Sequence, residues 1–187
     1  MARLPIRIFG DPVLRERAAE VTEFDERLAK LAEDMLETMR AAAGVGLAAN
    51  QVGVLKRLFT WELFDEDGGS THGAWVNPEV LETSEAIQEG EEGCLSFPGL
   101  YFPTKRPLEA RIRARDIHGE EHEVTGVGTL ARILLHEIDH LNGILFIDHL
   151  ARHDKKEAMR RIRAGELERT LEERDEAGEA GAVARRL

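Results

Sequence analysis

Two histidines, His136 and His140, constrain the fold of this chain more than any other feature of its sequence. Residues four apart on an α-helix lie on the same face, so both imidazoles can bind a single divalent metal ion. Glu137 lies between them, close enough to a metal-bound water to exchange protons with it. The surrounding residues form the most apolar predicted helix, where two unpaired imidazoles would be costly to bury. The segment therefore favours a metal site over a helix with scattered polar residues.

The remaining predicted elements are mixed. The histidine helix is expected to begin at Thr129 as its N-cap and to end at Asn142-Gly143, which suits a left-handed C-terminal cap. An earlier amphipathic helix is expected over 24–43. Strand-like patterns occur at 54–64 and 74–76, which are expected to form a hairpin, and at 108–114, while 92–104 is expected to be an ordered loop with short strand pieces.

A catalytic metal site needs a third protein ligand and one open position. A metzincin protease would place a third histidine at position 146, which is Phe146. A thermolysin-like protease would use a later glutamate, but the available ones lie in a segment typical of an exposed tail: Glu157, Glu166 and Glu168. Neither protease pattern fits well.

Cys94 is the better candidate for the third ligand. It is the only cysteine of the chain and follows Glu92-Gly93 in a loop rich in glycine and proline. A free cysteine is often a small buried apolar residue, but such a loop is a less usual place for one. We therefore interpret Cys94 as a ligand.

A third segment, Gly44–Gln51, reads GVGLAANQ, and its small residues allow close backbone approach. Together with EGCLS at 92–96 and HEIDHLNG at 136–143, it resembles the three signature motifs of the peptide deformylase family. The resemblance runs from about Arg7 to Leu150. It implies an α+β fold in which antiparallel strands surround a central helix that carries the HExxH motif.

The resemblance also assigns roles to individual residues. It implies that Cys94, His136 and His140 hold the metal and that Glu137 is the general acid/base. Gln51 and the backbone N–H of Leu95 would polarise the formyl oxygen of the substrate.

The implied activity is removal of the N-formyl group from the N-terminal formylmethionine of newly synthesised proteins, with release of formate. A water held by the metal would be the nucleophile. One divalent metal is expected per chain, with Fe(II) implied by the family, and Zn, Ni or Co as substitutes that a thiolate and two imidazoles would accept. The partners would be N-formylmethionyl nascent peptides, in the cytoplasm of a bacterium.

Further residues are expected to contact the substrate: Gly44, Val45, Gly46, Glu92, Gly93 and Ile133. Ile133 lies three residues before His136 on the same helical face, where it would either wall a methionine-sized pocket or belong to the core. Two positions differ from the commoner family pattern. Leu135 replaces a frequent glutamine, and Tyr101 replaces an arginine that some members have.

Composition limits the compartment and the partners. Apolar residues make up 42% of the 187 residues, and no apolar run approaches the roughly 20 residues of a bilayer span. A single cysteine cannot form an internal disulfide, which agrees with a reducing compartment. The net charge of −11 argues against DNA binding. We expect a soluble cytoplasmic enzyme without membrane contact.

The composition shifts after Leu150. Residues 151–187 hold ten Lys/Arg and nine Asp/Glu, so the net negative charge of the chain lies in residues 1–150. We expect a catalytic domain at 1–150, followed at 151–187 by a charged helix and an end that is frayed from Ala177 onward. Five basic residues would dock the enzyme on the phosphate-rich ribosome, or else form a solvated helix face: Lys155, Lys156, Arg160, Arg161 and Arg163.

Two other functions use the same residues. A zincin-type peptidase shares the HExxH motif and would cleave internal peptide bonds without releasing formate. A binding module would keep the fold and the metal but lack turnover, which the complete set of chemical residues disfavours.

Overall fold

The computed structural model describes residues 3–65, 67–167 and 169–170. Its fold is α+β, as the sequence predicts, with antiparallel strands around a helix that carries both histidines. The strands are β1 (Gly46–Ala48), β2 (Leu58–Phe64), β3 (Ser70–Thr83), β4 (Ile87–Gly93), β5 (Tyr101–Pro107), β6 (Glu109–Arg115) and β7 (Glu121–Val127). The α-helices are α1 (Glu26–Ala41), α2 (Thr129–Leu141) and α3 (Arg152–Arg163).

Five strands form one antiparallel sheet in the order β1-β2-β3-β6-β7. The predicted hairpin is confirmed, since β2 and β3 pair up to Phe64 and Ser70 at the turn. β3 is long because its first half pairs with β2 and its second half with β6. The register of the β3–β6 ladder shifts twice, and such bulges bend a strand and increase its twist.

The other two strands, β4 and β5, form a separate antiparallel hairpin with Gly93 opposite Tyr101. The loop expected over 92–104 is therefore shorter than predicted and covers only 94–100. β5 contains Pro103 although proline usually disfavours strands, because β5 pairs with β4 alone and an edge strand tolerates proline. The loop that remains carries Cys94.

α1 confirms the helix expected over 24–43. Asp25 caps it by accepting hydrogen bonds from the backbone N–H groups of Arg27 and Leu28. Its buried face consists mainly of apolar residues one turn apart, including Leu28, Ala32, Met35 and Met39. That face covers β1 and β2 from the side opposite α2 in a core of its own.

α2 packs against the five-stranded sheet through Leu134, Ile138 and Leu141, among others. Thr129 is its first residue rather than its N-cap, which is Gly128 with φ +59°. The predicted C-terminal cap is confirmed, because Asn142 caps the helix and Gly143 has φ +74°. A side chain at position 143 would also collide with the backbone of Arg15, so both the positive φ and the lack of space require glycine there.

α3 begins within the segment expected to be a charged helix. Ala158 of α3 and Leu167 after it are buried in a cluster with Phe97, Leu100 and Phe146. This segment therefore shares a core with the loop that carries Cys94. The division of the chain at residue 150 stays a prediction, and the frayed end predicted from Ala177 onward lies outside the described residues.

None of the helices in the described part of the chain has the length and apolar character needed to cross a membrane.

Candidate metal centre

Cys94, His136 and His140 converge, with their ligand atoms all within 4.8 Å of one another. Nε2 of His140 lies 3.1 Å from the Cys94 sulfur and 3.2 Å from Nε2 of His136. Two consecutive turns of α2 supply the imidazoles, and the loop after β4 supplies the sulfur. The three residues that the sequence predicted as ligands are therefore neighbours in space.

Glu92 orients the first of these imidazoles. It is fully buried, and its Oε1 accepts a hydrogen bond of 2.7 Å from Nδ1 of His136. Burial raises the pKa of Glu92, but His136 and Arg106 outweigh that effect and hold the pKa well below its usual range. An ionised carboxylate only accepts hydrogen bonds, so Nδ1 carries the proton and Nε2 faces the other two ligands.

The two imidazoles differ in their affinity for protons. Burial lowers the pKa of His136, but hydrogen bonds to Cys94 and Glu92 raise it well above the ordinary value. Burial and the nearby His136 lower the pKa of His140 well below it. His140 is therefore the imidazole that binds a proton less readily. One sulfur and two imidazole nitrogens this close together are donors that a divalent cation could satisfy at once, so the donor set fits a metal ion.

Glu137 is buried beside this cluster with part of its hydrogen-bonding capacity unused. Its side chain is 2% exposed, and Oε2 finds no hydrogen-bond partner in the described part of the chain. Burial raises the pKa of this carboxyl to about 7. A carboxyl that gains and loses a proton near neutral pH suits a general acid/base.

Gln51 and Leu95 present donors on the side of the cluster where Cys94 lies. Nε2 of Gln51 is 3.4 Å from the Cys94 sulfur and donates to Oγ of Ser96 at 3.1 Å. The backbone N–H of Ala48 holds the Gln51 carbonyl oxygen at 2.8 Å, which fixes the direction of the amide. The N–H of Leu95 donates to none of the backbone carbonyls within the described ranges.

The residues predicted to contact the substrate differ in their surroundings. The Cα of Gly44 faces the side chain of Leu95, and Gly93 lies against the ring of Tyr101, where a Cβ would come within 2.5 Å of the ring. Val45 is buried next to β1, and Ile133 is fully buried in the core between α2 and the sheet. Their contact with a substrate stays a prediction.

Sequence reasoning missed the charged residues that surround Glu92. Arg106 donates to both oxygens of Glu92, at 2.6 and 3.1 Å, and Arg132 donates to Oε2 at 2.7 Å. Arg106 also pairs with Asp139, which His149 contacts at 2.7 Å. Arg132 lies one helical turn before His136, and this spacing on the sequence could have indicated that the two side chains lie on the same face of α2. Arg106 gave no such signal, because part of its strand, β5, was predicted to be a loop.

The chain matches known proteins along most of its length. A sequence model of the family described as Polypeptide deformylase matches residues 3–156. A peptide deformylase of Acidothermus cellulolyticus is 50% identical over 166 residues, covering 89% of each chain. The crystal structure of a peptide deformylase from Legionella pneumophila is 41% identical, with a TM-score of 0.80, covering 88% of this chain and 96% of that one. A Met-Ala-Ser-bound class I type b peptide deformylase from Acinetobacter baumannii is 36% identical, with a TM-score of 0.75, covering 80% and 99%.

Proposed function

The chain belongs to the polypeptide deformylase family, and from that membership we infer that it removes the N-formyl group from the N-terminal formylmethionine of newly synthesised proteins. The observation that carries this proposal is the convergence of Cys94, His136 and His140 beside a buried carboxyl, Glu137. Such a set, with a divalent ion bound, could support hydrolysis of an amide.

Cys94, His136 and His140 would hold one divalent ion, and the remaining coordination position would take water or substrate. A bound ion would supply a Lewis acid that makes water more acidic and polarises a carbonyl. A thiolate with two imidazoles accepts several first-row metals. We propose Fe(II) as the native ion, with Zn, Ni or Co as substitutes.

Glu137 would move the protons. It accepts a proton from the attacking water and delivers it to the amine that leaves as formate is released. Its raised pKa supports both halves of this role, because the group is neither a strong acid nor permanently charged near neutral pH. Burial keeps bulk water away from the carboxyl.

Gln51 and Leu95 would bind the oxygen of the formyl group. The carbonyl becomes negative as water adds to it, and the Gln51 amide and the Leu95 N–H are fixed donors for that charge. One such donor is typically worth about 3 kcal/mol in the transition state. Ala48 and Ser96 hold the Gln51 amide in place from either end, and its contact with the Cys94 sulfur would be exchanged for the formyl oxygen.

The methionine of the substrate would lie near the small residues of the first two motifs. We propose that Gly44, Val45, Gly46, Glu92, Gly93 and Ile133 form its surroundings. The structural relative from Acinetobacter baumannii was solved with Met-Ala-Ser bound, the peptide that deformylation would release from formyl-Met-Ala-Ser. This supports the same substrate class for the present chain.

A comparison of three peptides tests the activity. Metal-loaded protein should release formate from formyl-Met-Ala-Ser and leave acetyl-Met-Ala-Ser and free Met-Ala-Ser intact. Cleavage of internal peptide bonds without formate would instead indicate a peptidase. Metal binding without turnover of any formyl peptide would indicate a binding module.

We also propose that basic residues of α3 dock the enzyme on the ribosome. Three of the five are engaged within the protein: Lys155 with Asp148, Arg160 with Glu157 and Arg161 with Glu166. Lys156 and Arg163 are exposed and have no ion pair among the described residues. Those two are therefore the positive charges best placed to meet phosphates.

Charge reversal tests docking better than truncation, because removing everything after Leu150 would also remove Ala158 and Leu167 from the core. Lys156→Glu with Arg163→Glu should weaken salt-sensitive co-sedimentation with ribosomes and leave hydrolysis of formyl-Met-Ala-Ser unchanged. The control is Arg27→Glu with Lys56→Glu, which reverses two exposed charges elsewhere. Equal sedimentation of both double variants at low salt would refute the docking role.

A further inference from the structure

The hairpin of β4 and β5 meets α2 through polar contacts, whereas the five-stranded sheet meets it through apolar ones. Three alternate positions of β4, on the face toward α2, contact successive turns of that helix. Gln88 donates to the carbonyl of Gly128 at the start of α2, at 2.7 Å. Gly90 lies over the guanidinium of Arg132, one turn further, and Glu92 meets His136 after another turn. Polar contacts therefore set the position of the hairpin relative to the metal-site helix.

Arg132 is the side chain of α2 that reaches both strands of this hairpin. It is 5% exposed, and its Nη1 donates to Oε2 of Glu92 at 2.7 Å and to the carbonyl of Thr104 on β5 at 3.0 Å. Glu92 lies two residues before Cys94. One side chain on the helix that carries both histidines thus holds the strand that leads to the cysteine.

A second contact joins the same two elements on the other side of His136. Arg106 of β5 donates to Asp139 of α2 at 2.6 Å. His136 therefore lies between two ionic links, with Arg132 one turn before it and Asp139 nearly one turn after it. With both links in place, α2 can neither rotate nor slide against the hairpin without breaking a buried ion pair, which is costly.

The hydrogen bonds of Glu92 show what depends on Arg132. Oε1 accepts from His136 and Arg106, at 2.7 and 2.6 Å, while Oε2 accepts from Arg132 at 2.7 Å and from Arg106 at 3.1 Å. Without Arg132, Oε2 would keep only the longest of the four bonds. Arg106 alone would then hold the carboxylate, through one short and one long bond, so Oε1 would be directed less firmly toward Nδ1 of His136.

We propose that Arg132 is a positioning residue for the metal site. It fixes Glu92 against His136 and sets the distance between the strand that leads to Cys94 and the helix that carries both imidazoles. This inference rests on the proposed metal site at Cys94, His136 and His140, and it does not depend on the substrate.

Binding of Co(II) to the metal-free protein tests this role, since a cobalt–thiolate bond gives its own absorption band. Arg132→Met removes the charge and the donors at similar length, and we expect Co(II) affinity to fall about 10- to 100-fold, with a weaker or shifted thiolate band. The matched control is Arg111→Met, which removes an arginine from exposed ion pairs on β6 and should leave affinity and spectrum unchanged.

Arg132→Lys decides the question if the Met variant does not fold. A lysine keeps the charge, but its ammonium group ends one bond short of the position of the Arg132 Nη1, which donates to both Glu92 and Thr104. We therefore expect about 3- to 10-fold weaker Co(II) binding with a native circular dichroism spectrum. Wild-type affinity in a folded Met variant would overturn the proposal. If the Met variant is unfolded, wild-type affinity in the Lys variant, or its loss of the fold, would overturn it. Wild-type protein that binds Co(II) but releases no formate would refute the proposed activity and leave this comparison intact.

Discussion

Gly46 of β1 lies directly against the carboxyl group of Glu137 on α2. A Cβ added to Gly46 would come within 2.8 Å of the Glu137 carboxyl carbon and still closer to Oε1. Real Cβ atoms do not approach a carboxyl carbon so closely, so any side chain at position 46 must displace Glu137 or β1. Glycine at position 46 of the first motif is therefore explained by the position of Glu137, the proposed general acid/base in the third motif.

Gly46→Ala should therefore lower turnover without removing the metal. The added methyl group displaces the Glu137 carboxyl while Cys94, His136 and His140 stay unchanged, and acid/base catalysis is worth about 100-fold or more. The measurement is the rate of formate release at saturating formyl-Met-Ala-Ser, with metal content measured in parallel. Gly73→Ala on β3 is the control, because a Cβ there makes only ordinary contact with Trp61. Wild-type turnover in Gly46→Ala would show that Glu137 tolerates displacement.

Glu137→Gln should keep the metal and lose nearly all turnover. The amide has the same shape but cannot accept a proton from water, so we expect a decrease of about 100- to 10,000-fold in kcat. Metal analysis and formate release on the same preparation separate the two effects. Glu26→Gln on the exposed side of α1 makes the same chemical change away from the site. A Glu137→Gln variant with the wild-type rate would remove the acid/base assignment.

Cys94→Ala should weaken metal binding, and not only lower the turnover of a metal-loaded protein. Two imidazoles remain, and a two-histidine site is under-coordinated. We expect affinity for Zn or Co to fall by more than about 100-fold, the upper end of what loss of an outer partner of a ligand costs. Competition with a chelator measures it, and Thr83→Ala on an exposed strand end serves as the control. Unchanged affinity would place the third ligand elsewhere.

The sequence predicted the parts of the site that depend on local geometry. The spacing of His136 and His140 follows from the pitch of a helix, and Asn142-Gly143 marked its end because a left-handed cap requires such residues. Cys94 could be predicted as a ligand from its glycine-rich loop and from the poor fit of the other candidates, but neither argument revealed how near it lies to the histidines. Its distance from His140 results from tertiary packing.

The charged network around Glu92 could not be predicted in the same way. Arg106 and Glu92 are 14 residues apart and meet because β4 and β5 pair in one register, and a shift of one residue would point them to opposite faces. Thr129 was assigned as an N-cap on residue preference alone, but the preceding Gly128 adopts φ +59° and takes that position. Local preference does not decide these features, because the ladder and the turn that determine them involve distant residues.

Asp148 is expected to support the fold in a pH-dependent way. It lies after α2 and joins three parts of the chain: it accepts from Arg15 near the N-terminus, from Lys155 on α3 at 3.0 Å, and from the backbone N–H of Leu145 at 3.1 Å. Burial raises the pKa of Asp148, but the hydrogen bonds from Arg15 and Leu145 outweigh it and hold the pKa well below its ordinary value.

Asp148→Asn should therefore destabilise the protein at neutral pH and matter less in acid. The folded pKa is below the unfolded one, so the stabilisation is complete above the unfolded value, near 4, and is lost as the pH falls toward the folded value. Since the side chains are partly exposed and water screens them, we expect about 1 kcal/mol, or roughly 2–4 °C in Tm, at pH 7. Thermal unfolding from pH 7 to pH 3 measures the difference, which should shrink steadily below pH 4. Asp67→Asn in the exposed β2–β3 turn should show no such difference, and a gap between Asp148→Asn and wild type that stays constant down to pH 3 would exclude the carboxylate charge as its source.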